Sequence, residues 1–227
     1  MSSNKNETLN TFEGIQIEKK YDHLYKIILI GDTGVGKTAL LSKYLKGVFP
    51  KSPLSTVATE FATKIIQIKD GGSIKAQIWD TAGEEKYKSI TFHHYRKSVG
   101  ALIVYDITKR ITFLNVMNWY DDLMLKADKD CIIALIGNKL DLIQKNERKR
   151  DVTKEEAQEY ANENNMLFYE TSAYNGDNIS DIFEELLQTI YTERRKIKKL
   201  DTNENQNTIN IHSKIENNFV HKEECGC

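Results

Sequence analysis

From Leu24 onward, short continuous apolar runs alternate with longer stretches in which apolar residues recur every three or four positions. Lys26-Ile-Ile-Leu-Ile30, Ala101-Leu-Ile-Val-Tyr105 and Cys131-Ile-Ile-Ala-Leu-Ile136 are β-rich runs without alternation. That is the pattern of parallel strands covered on both faces. Between them, Phe113, Val116, Tyr120 and Leu123 share one helical face, and Thr153-Lys-Glu-Glu156 is a capping box opening a further helix. Ile179, Ile182, Phe183, Leu186, Leu187, Ile190 and Tyr191 form the apolar stripe of a last helix. Glu60 to Lys69 and Ser73 to Asp80 read as two strands joined by Asp70-Gly71-Gly72, a hairpin signal. Together these elements predict an α/β fold: a mostly parallel sheet with one antiparallel strand.

Composition narrows the class. The 227 residues are 40% hydrophobic and 29% charged, enough for one good core. Lys+Arg 32 against Asp+Glu 33 gives a net charge of -1, which speaks against nucleic acid as a partner. The longest apolar runs fall far short of the roughly 20 residues that span a bilayer. The polar start, MSSNKNETLNTF, lacks the apolar core of a secretion signal. Three cysteines make no disulfide framework. The expected organisation is a flexible extension over 1–23, a domain over 24–192 and a disordered tail over 193–227. That tail opens on five basic residues in the six from Arg194 to Lys199, which read as the end of the last helix, where cations suit its dipole, and then turns Asn-rich.

Four motifs carry chemistry. Gly31-Asp-Thr-Gly-Val-Gly-Lys-Thr38 matches the phosphate-binding loop, with a buried strand before it and a helix after it. Backbone N–H groups and a helix N-terminus would face phosphate oxygens there. Lys37 would reach the β- and γ-phosphates, and the Thr38 hydroxyl is a hard ligand for Mg²⁺. Asn138-Lys-Leu-Asp141 follows a buried strand, so its loop belongs at the carboxyl edge of the sheet, beside the first motif. A carboxylate there can accept from guanine N1–H and the 2-amino group, whereas adenine offers neither donor. Glu170-Thr-Ser-Ala173 supplies another base-side loop, and Trp79-Asp-Thr-Ala-Gly83 places Asp80 toward Mg²⁺ and the Gly83 N–H toward a γ-phosphate.

The order GDTGVGKT, WDTAG, NKLD, ETSA resembles the Ras superfamily of small GTPases. The stretches Glu60-Phe61-Ala-Thr, Lys75 to Asp80 and Val99 to Ile107, with a terminal Cys-x-Cys, narrow it to the Rab family, most similar to its recycling-endosome branch. The resemblance implies a six-stranded sheet flanked by five helices and a GDP/GTP switch that recruits effectors to vesicle membranes. By motif, the phosphates would lie against Thr33, Gly34, Val35, Gly36, Lys37 and Thr38, and Phe49 would meet the guanine edge-on. Thr56 would ligate Mg²⁺ with Thr38 and Asp80 when a γ-phosphate is present. Asn138, Lys139 and Asp141 would frame the base, supported by Ser172 and Ala173. Switch loops would span about 48–61 and 80–95. Implied partners are effectors, an exchange factor, a GTPase-activating protein, a GDP dissociation inhibitor, and an escort protein with prenyl transferase.

The chain departs from the family at Glu84, where Gln orients the attacking water. An ionised carboxylate cannot donate toward the phosphate, so slow intrinsic hydrolysis is expected, with Lys37, Thr56 and Glu84 as the catalytic group. Ala58 and Thr59 replace a Gly and an aliphatic residue of the first switch, Lys97-Ser98 replaces Gly-Ala, and His93-His94 adds two titratable groups. Cys225-Gly-Cys227 resembles the signal for two geranylgeranyl groups, with a metal clip using His221 as the competing reading. Residues 201–224 carry five acidic and two basic residues, net -3, so no polybasic patch adjoins the lipids, and two chains are needed for stable anchoring. The expected location is the cytoplasmic face of endosomal or post-Golgi vesicle membranes, with a cytosolic pool. Two other readings compete: a GTP-locked scaffold in which Glu84 has removed turnover, and an ATP-using phosphoryl transferase, which Asp141 disfavours.

Overall fold

The computed structural model describes residues 21–50, 60–69, 72–81 and 94–197. Strand β1 spans His23–Ile30, β2 Glu60–Gln67, β3 Ser73–Asp80, β4 Gly100–Asp106, β5 Ile132–Asn138 and β6 Leu167–Glu170. They form a single sheet in the order β2-β3-β1-β4-β5-β6. Only the β2–β3 pairing is antiparallel, running in register from Glu60 opposite Asp80 to Gln67 opposite Ser73. The remaining pairs are parallel, as the run pattern predicted. The hairpin's Asp70 and Gly71 lie outside the described residues, and the Ile68 N–H donates to the Gly72 carbonyl at 3.0 Å.

Helix α1 spans Lys37–Lys46, α2 Arg110–Leu114, α3 Val116–Met124, α4 Leu140–Gln144 and α5 Lys154–Glu163; α6 is described over 179–197. Because successive strand residues point to opposite faces, each parallel strand feeds two cores. Ile27 and Leu29 of β1, Leu102 and Val104 of β4, and Ile136 of β5 pack with α1 and the α6 stripe. Ile28, Ile30, Ile103, Tyr105 and Leu135 pack on the other face against Phe113, Val116, Trp119 and Leu123, and against Ala157 and Ala161 of α5. This double coverage explains why the runs show no alternation. Thr153 caps α5 as expected, its hydroxyl accepting from the Glu156 N–H at 3.2 Å.

Strand β1 begins at His23, and the Asp22 carboxylate already accepts from the Ser73 N–H at 2.7 Å. Helix α6 runs into the basic stretch, as its charge pattern predicted, and there the Arg194 guanidinium is held by Asp128 at 2.9 Å and Asp130 at 3.2 Å. No helix among the described residues is long and apolar enough to cross a membrane.

Candidate functional site

The site lies at the carboxyl edge of the parallel strands, where the chain leaves β1, β3, β4, β5 and β6. The loop between β1 and α1 turns on glycines for stated reasons. Gly31 has φ +135, and a Cβ on it would lie 2.1 Å from the Val104 carbonyl oxygen. Gly36 has φ +102, and a Cβ there would lie 2.3 Å from Asn138 Nδ2. Gly36 is also the N-cap of α1, with no capping side chain and no acidic residue in the first turn. The first-turn N–H groups and the positive end of the helix dipole are thus left for an external anion.

Lys37 is 6% exposed and arches over its own loop, donating from Nζ to the Gly31 carbonyl at 2.7 Å and the Asp32 carbonyl at 3.0 Å. Burial pulls its ammonium down to about 8, against the pull of Asp80 and Asp32 in the other direction. The Thr38 hydroxyl donates to Asp80 Oδ2 at 2.5 Å, and Asp80 is buried. Two hard oxygen groups from different elements therefore meet beside the loop, a donor set that suits Mg²⁺. Thr81, the next residue, is tied to β1 by its hydroxyl, which donates to the Leu29 carbonyl at 2.7 Å.

The loops after β5 and β6 are stitched to the loop between β1 and α1. Asn138 Nδ2 donates to the Val35 carbonyl at 2.8 Å, while its Oδ1 accepts from the Ala173 N–H at 3.2 Å. Asp141 is 7% exposed, and its Oδ1 accepts from the Ser172 hydroxyl at 2.7 Å. The same Ser172 oxygen accepts from the Asn175 N–H at 3.0 Å, which directs the hydroxyl proton onto Asp141. Lys139 sits at φ 75, a left-handed position costly for a residue with a Cβ. Its ammonium is 2.7 Å from Asp106, a carboxylate buried at the end of β4.

These residues enclose a cavity of about 600 Å³, lined among others by Gly34, Gly36, Phe49, Asn138, Lys139, Asp141 and Ala173. That volume suits a nucleotide-sized ligand. Thr33 is exposed at the turn of the loop and Val35 is buried beneath it. The structure thus gathers Thr33 to Thr38, Phe49, Asp80, Asn138, Lys139, Asp141, Ser172 and Ala173 at one edge. Thr56, Ala58, Thr59, Gly83, Glu84, His93, Cys225 and Cys227 lie outside the described residues. His94 is described, its ring 5.1 Å from that of Trp79. Lys97 stands at φ 62, so the glycine expected there is the residue that backbone favours.

Sequence reasoning missed several supporting residues. Asp106 closes a buried strand as Asp80 does, a signal that was available. Tyr174 and Lys145 also line the cavity: Phe49 meets the Tyr174 ring edge-on at 5.4 Å, and the Lys145 ammonium lies 3.9 Å from that ring's centre. Asn115 and Trp119 reach the loop at Asp32 from a distant helix, a contact no local pattern announces.

The family model described as Ras family matches residues 26–192. The chain is 47% identical over 189 residues to the Ras-related protein YPTC6 of Chlamydomonas reinhardtii, covering 83% of this chain and 85% of that one. It is 44% identical over 197 residues to the Ras-related protein RABA2a of Arabidopsis thaliana, covering 87% of each. A glycine-built loop matching the phosphate-binding pattern, a buried carboxylate on the cavity wall and matches of this extent agree: the chain belongs to the Ras family as a Rab small GTPase, a GTP-hydrolysing switch of vesicle traffic.

Proposed function

We propose that the cavity takes a guanine nucleotide with Asp141 reading the base, and that this switch hydrolyses GTP slowly. The observation that carries the base assignment is the Asp141 carboxylate, nearly buried on the cavity wall, with Ser172 occupying only part of its acceptor capacity. Guanine N1–H and the 2-amino group match what remains; adenine would leave that capacity unpaired, at a cost. Phe49 borders the base from the side, and Asn138 and Ala173 hold the loops that frame it.

The N–H groups of residues 33–38 and the Lys37 ammonium face the phosphates, where negative charge grows during transfer to water. Thr38 and Asp80, with Thr56 from the first switch, would hold Mg²⁺, which supplies charge neutralisation at the phosphates when bound. Gly83 would donate its N–H to the γ-phosphate. Glu84 is the basis for slow turnover, because an ionised carboxylate neither donates to the phosphate nor tolerates its charge. Cys225 and Cys227 would carry two lipid chains, which supports residence on endosomal or post-Golgi vesicle membranes. The GTP-locked scaffold is the second reading, and it rests on the same Glu84.

The test is single-turnover phosphate release from GTP-loaded protein with Mg²⁺, for the wild-type chain and Glu84→Gln. Release that is slow in wild type and clearly faster in Glu84→Gln supports the proposal. Equal rates, or a faster wild type, refute the role given to Glu84. No release from wild type, restored in Glu84→Gln, transfers the conclusion to the scaffold.

A further inference from the structure

Asp32, the second residue of the phosphate loop, is gripped from outside the loop. Its Oδ2 accepts from Asn115 Nδ2 at 2.8 Å, and its Oδ1 accepts from the Trp119 indole N–H at 2.8 Å. Asn115 joins α2 to α3, and Trp119 lies one turn further on; the Trp119 N–H donates to the Asn115 carbonyl at 3.2 Å. Residues four apart on a helix share a face, so the two side-chain donors form a fork that one carboxylate fills with both oxygens.

The fork is anchored. Trp119 is 4% exposed and packs with Val116 and Leu123 in the core beneath the sheet. Its indole therefore cannot follow a loop that drifts. The other end of Asp32 does different work. Its carbonyl, with that of Gly31, accepts from Lys37 Nζ. One residue thus links a helix fixed in the core to the lysine that faces the phosphates.

We propose that Asn115 and Trp119 are positioning residues for nucleotide binding: through Asp32 they fix the peptide that orients Lys37, so the loop is preorganised before the phosphates arrive. The inference rests on the guanine-nucleotide reading of the cavity. Both bonds go to an ionised acceptor and are of the stronger kind. Preorganisation of this sort appears mainly in the dissociation rate of the ligand. The negative charge of Asp32 also opposes the fall in basicity that burial imposes on Lys37.

The experiment uses the full chain loaded with fluorescent GDP and Mg²⁺, and follows release into excess unlabelled GDP. Trp119→Phe keeps an aromatic ring in the core and removes the N–H together with part of the indole; Asn115→Ala removes the other donor; Asp32→Ala removes the acceptor. Trp119→Phe and Asn115→Ala are each expected to release GDP about tenfold faster, the scale of one hydrogen bond to a charged group, and Asp32→Ala, which cuts both bonds, at least as fast as either. Asp32→Ala/Trp119→Phe is expected to be no faster than Asp32→Ala alone, since both changes cut one interaction. In a Trp79→Phe background, Trp119 is the one remaining tryptophan; Asp32→Ala should shift its emission whether or not GDP is bound. Wild-type release rates in Trp119→Phe and Asn115→Ala, or effects of Asp32 and Trp119 that multiply, overturn the inference and leave Trp119 as core packing. A wild-type chain that holds no GDP at all overturns the guanine-nucleotide reading, and this inference with it.

Discussion

Replacing Asp141 by Asn changes one atom at the wall of the cavity and should reverse its base preference. The Ser172 proton is directed onto Asp141 because the Ser172 oxygen already takes the Asn175 N–H. An Asn at this position keeps its carbonyl toward Ser172 and turns its NH₂ toward the base. Guanine presents two donors there, so donor meets donor and both charge-assisted bonds are lost. At roughly 1.5–3 kcal/mol for each hydrogen bond to a charged group, the loss is at least about 3 kcal/mol, or some hundredfold in affinity. Turning the amide over restores at most one neutral bond and sets NH₂ against Ser172. Xanthine carries a carbonyl where guanine carries its 2-amino group, and that carbonyl accepts from the new NH₂. Displacement of fluorescent GDP by GTP, xanthosine triphosphate and ATP measures all three affinities. Asp141→Asn should lose GTP by a hundredfold or more and gain xanthosine triphosphate. A variant that keeps GTP within threefold of wild type, or a wild-type chain that binds ATP as well as GTP, refutes the assignment of Asp141 to the base.

Lys97→Gly should stabilise the fold by about 0.5–1 kcal/mol, since Lys97 occupies φ 62 and the left-handed cost of a Cβ outweighs the greater chain freedom of Gly; a lower midpoint in urea unfolding would count against this. Lys37 gives a pH dependence of opposite sign for stability and for binding. Its pKa in the folded chain is lowered to about 8, so between that value and the ordinary range of an exposed lysine the unfolded chain holds more protons, and stability of the nucleotide-free protein rises with pH. Phosphates need the charged form, so GDP affinity should weaken by up to about tenfold between pH 8 and 9; an affinity flat across that interval in titration calorimetry would refute a lysine of lowered basicity facing the phosphates.

Much of this protein was written in local sequence. The doubly covered strands announced themselves as uninterrupted apolar runs, and the hairpin by Asp70-Gly71-Gly72 between two β-like segments. The phosphate loop was legible because its chemistry comes from backbone, and backbone geometry is set by glycine spacing over eight consecutive residues. The Asp141 carboxylate was legible because it follows a buried strand, and the end of a parallel strand fixes where a side chain can act.

Tertiary structure decided what depends on residues far apart in the chain. Nothing local says that Asn138 donates to Val35, that Lys139 is paired with Asp106, or that the Ser172 proton is aimed at Asp141. The grip of Asn115 and Trp119 on Asp32 joins residues more than eighty positions apart. Arg194 of α6 likewise finds Asp128 and Asp130 only after folding. Periodicity and motif spacing encode which face is buried and which peptide groups turn inward. Pairing of polar side chains across elements is settled by the packing of the sheet and its helices, and that packing holds the site in register.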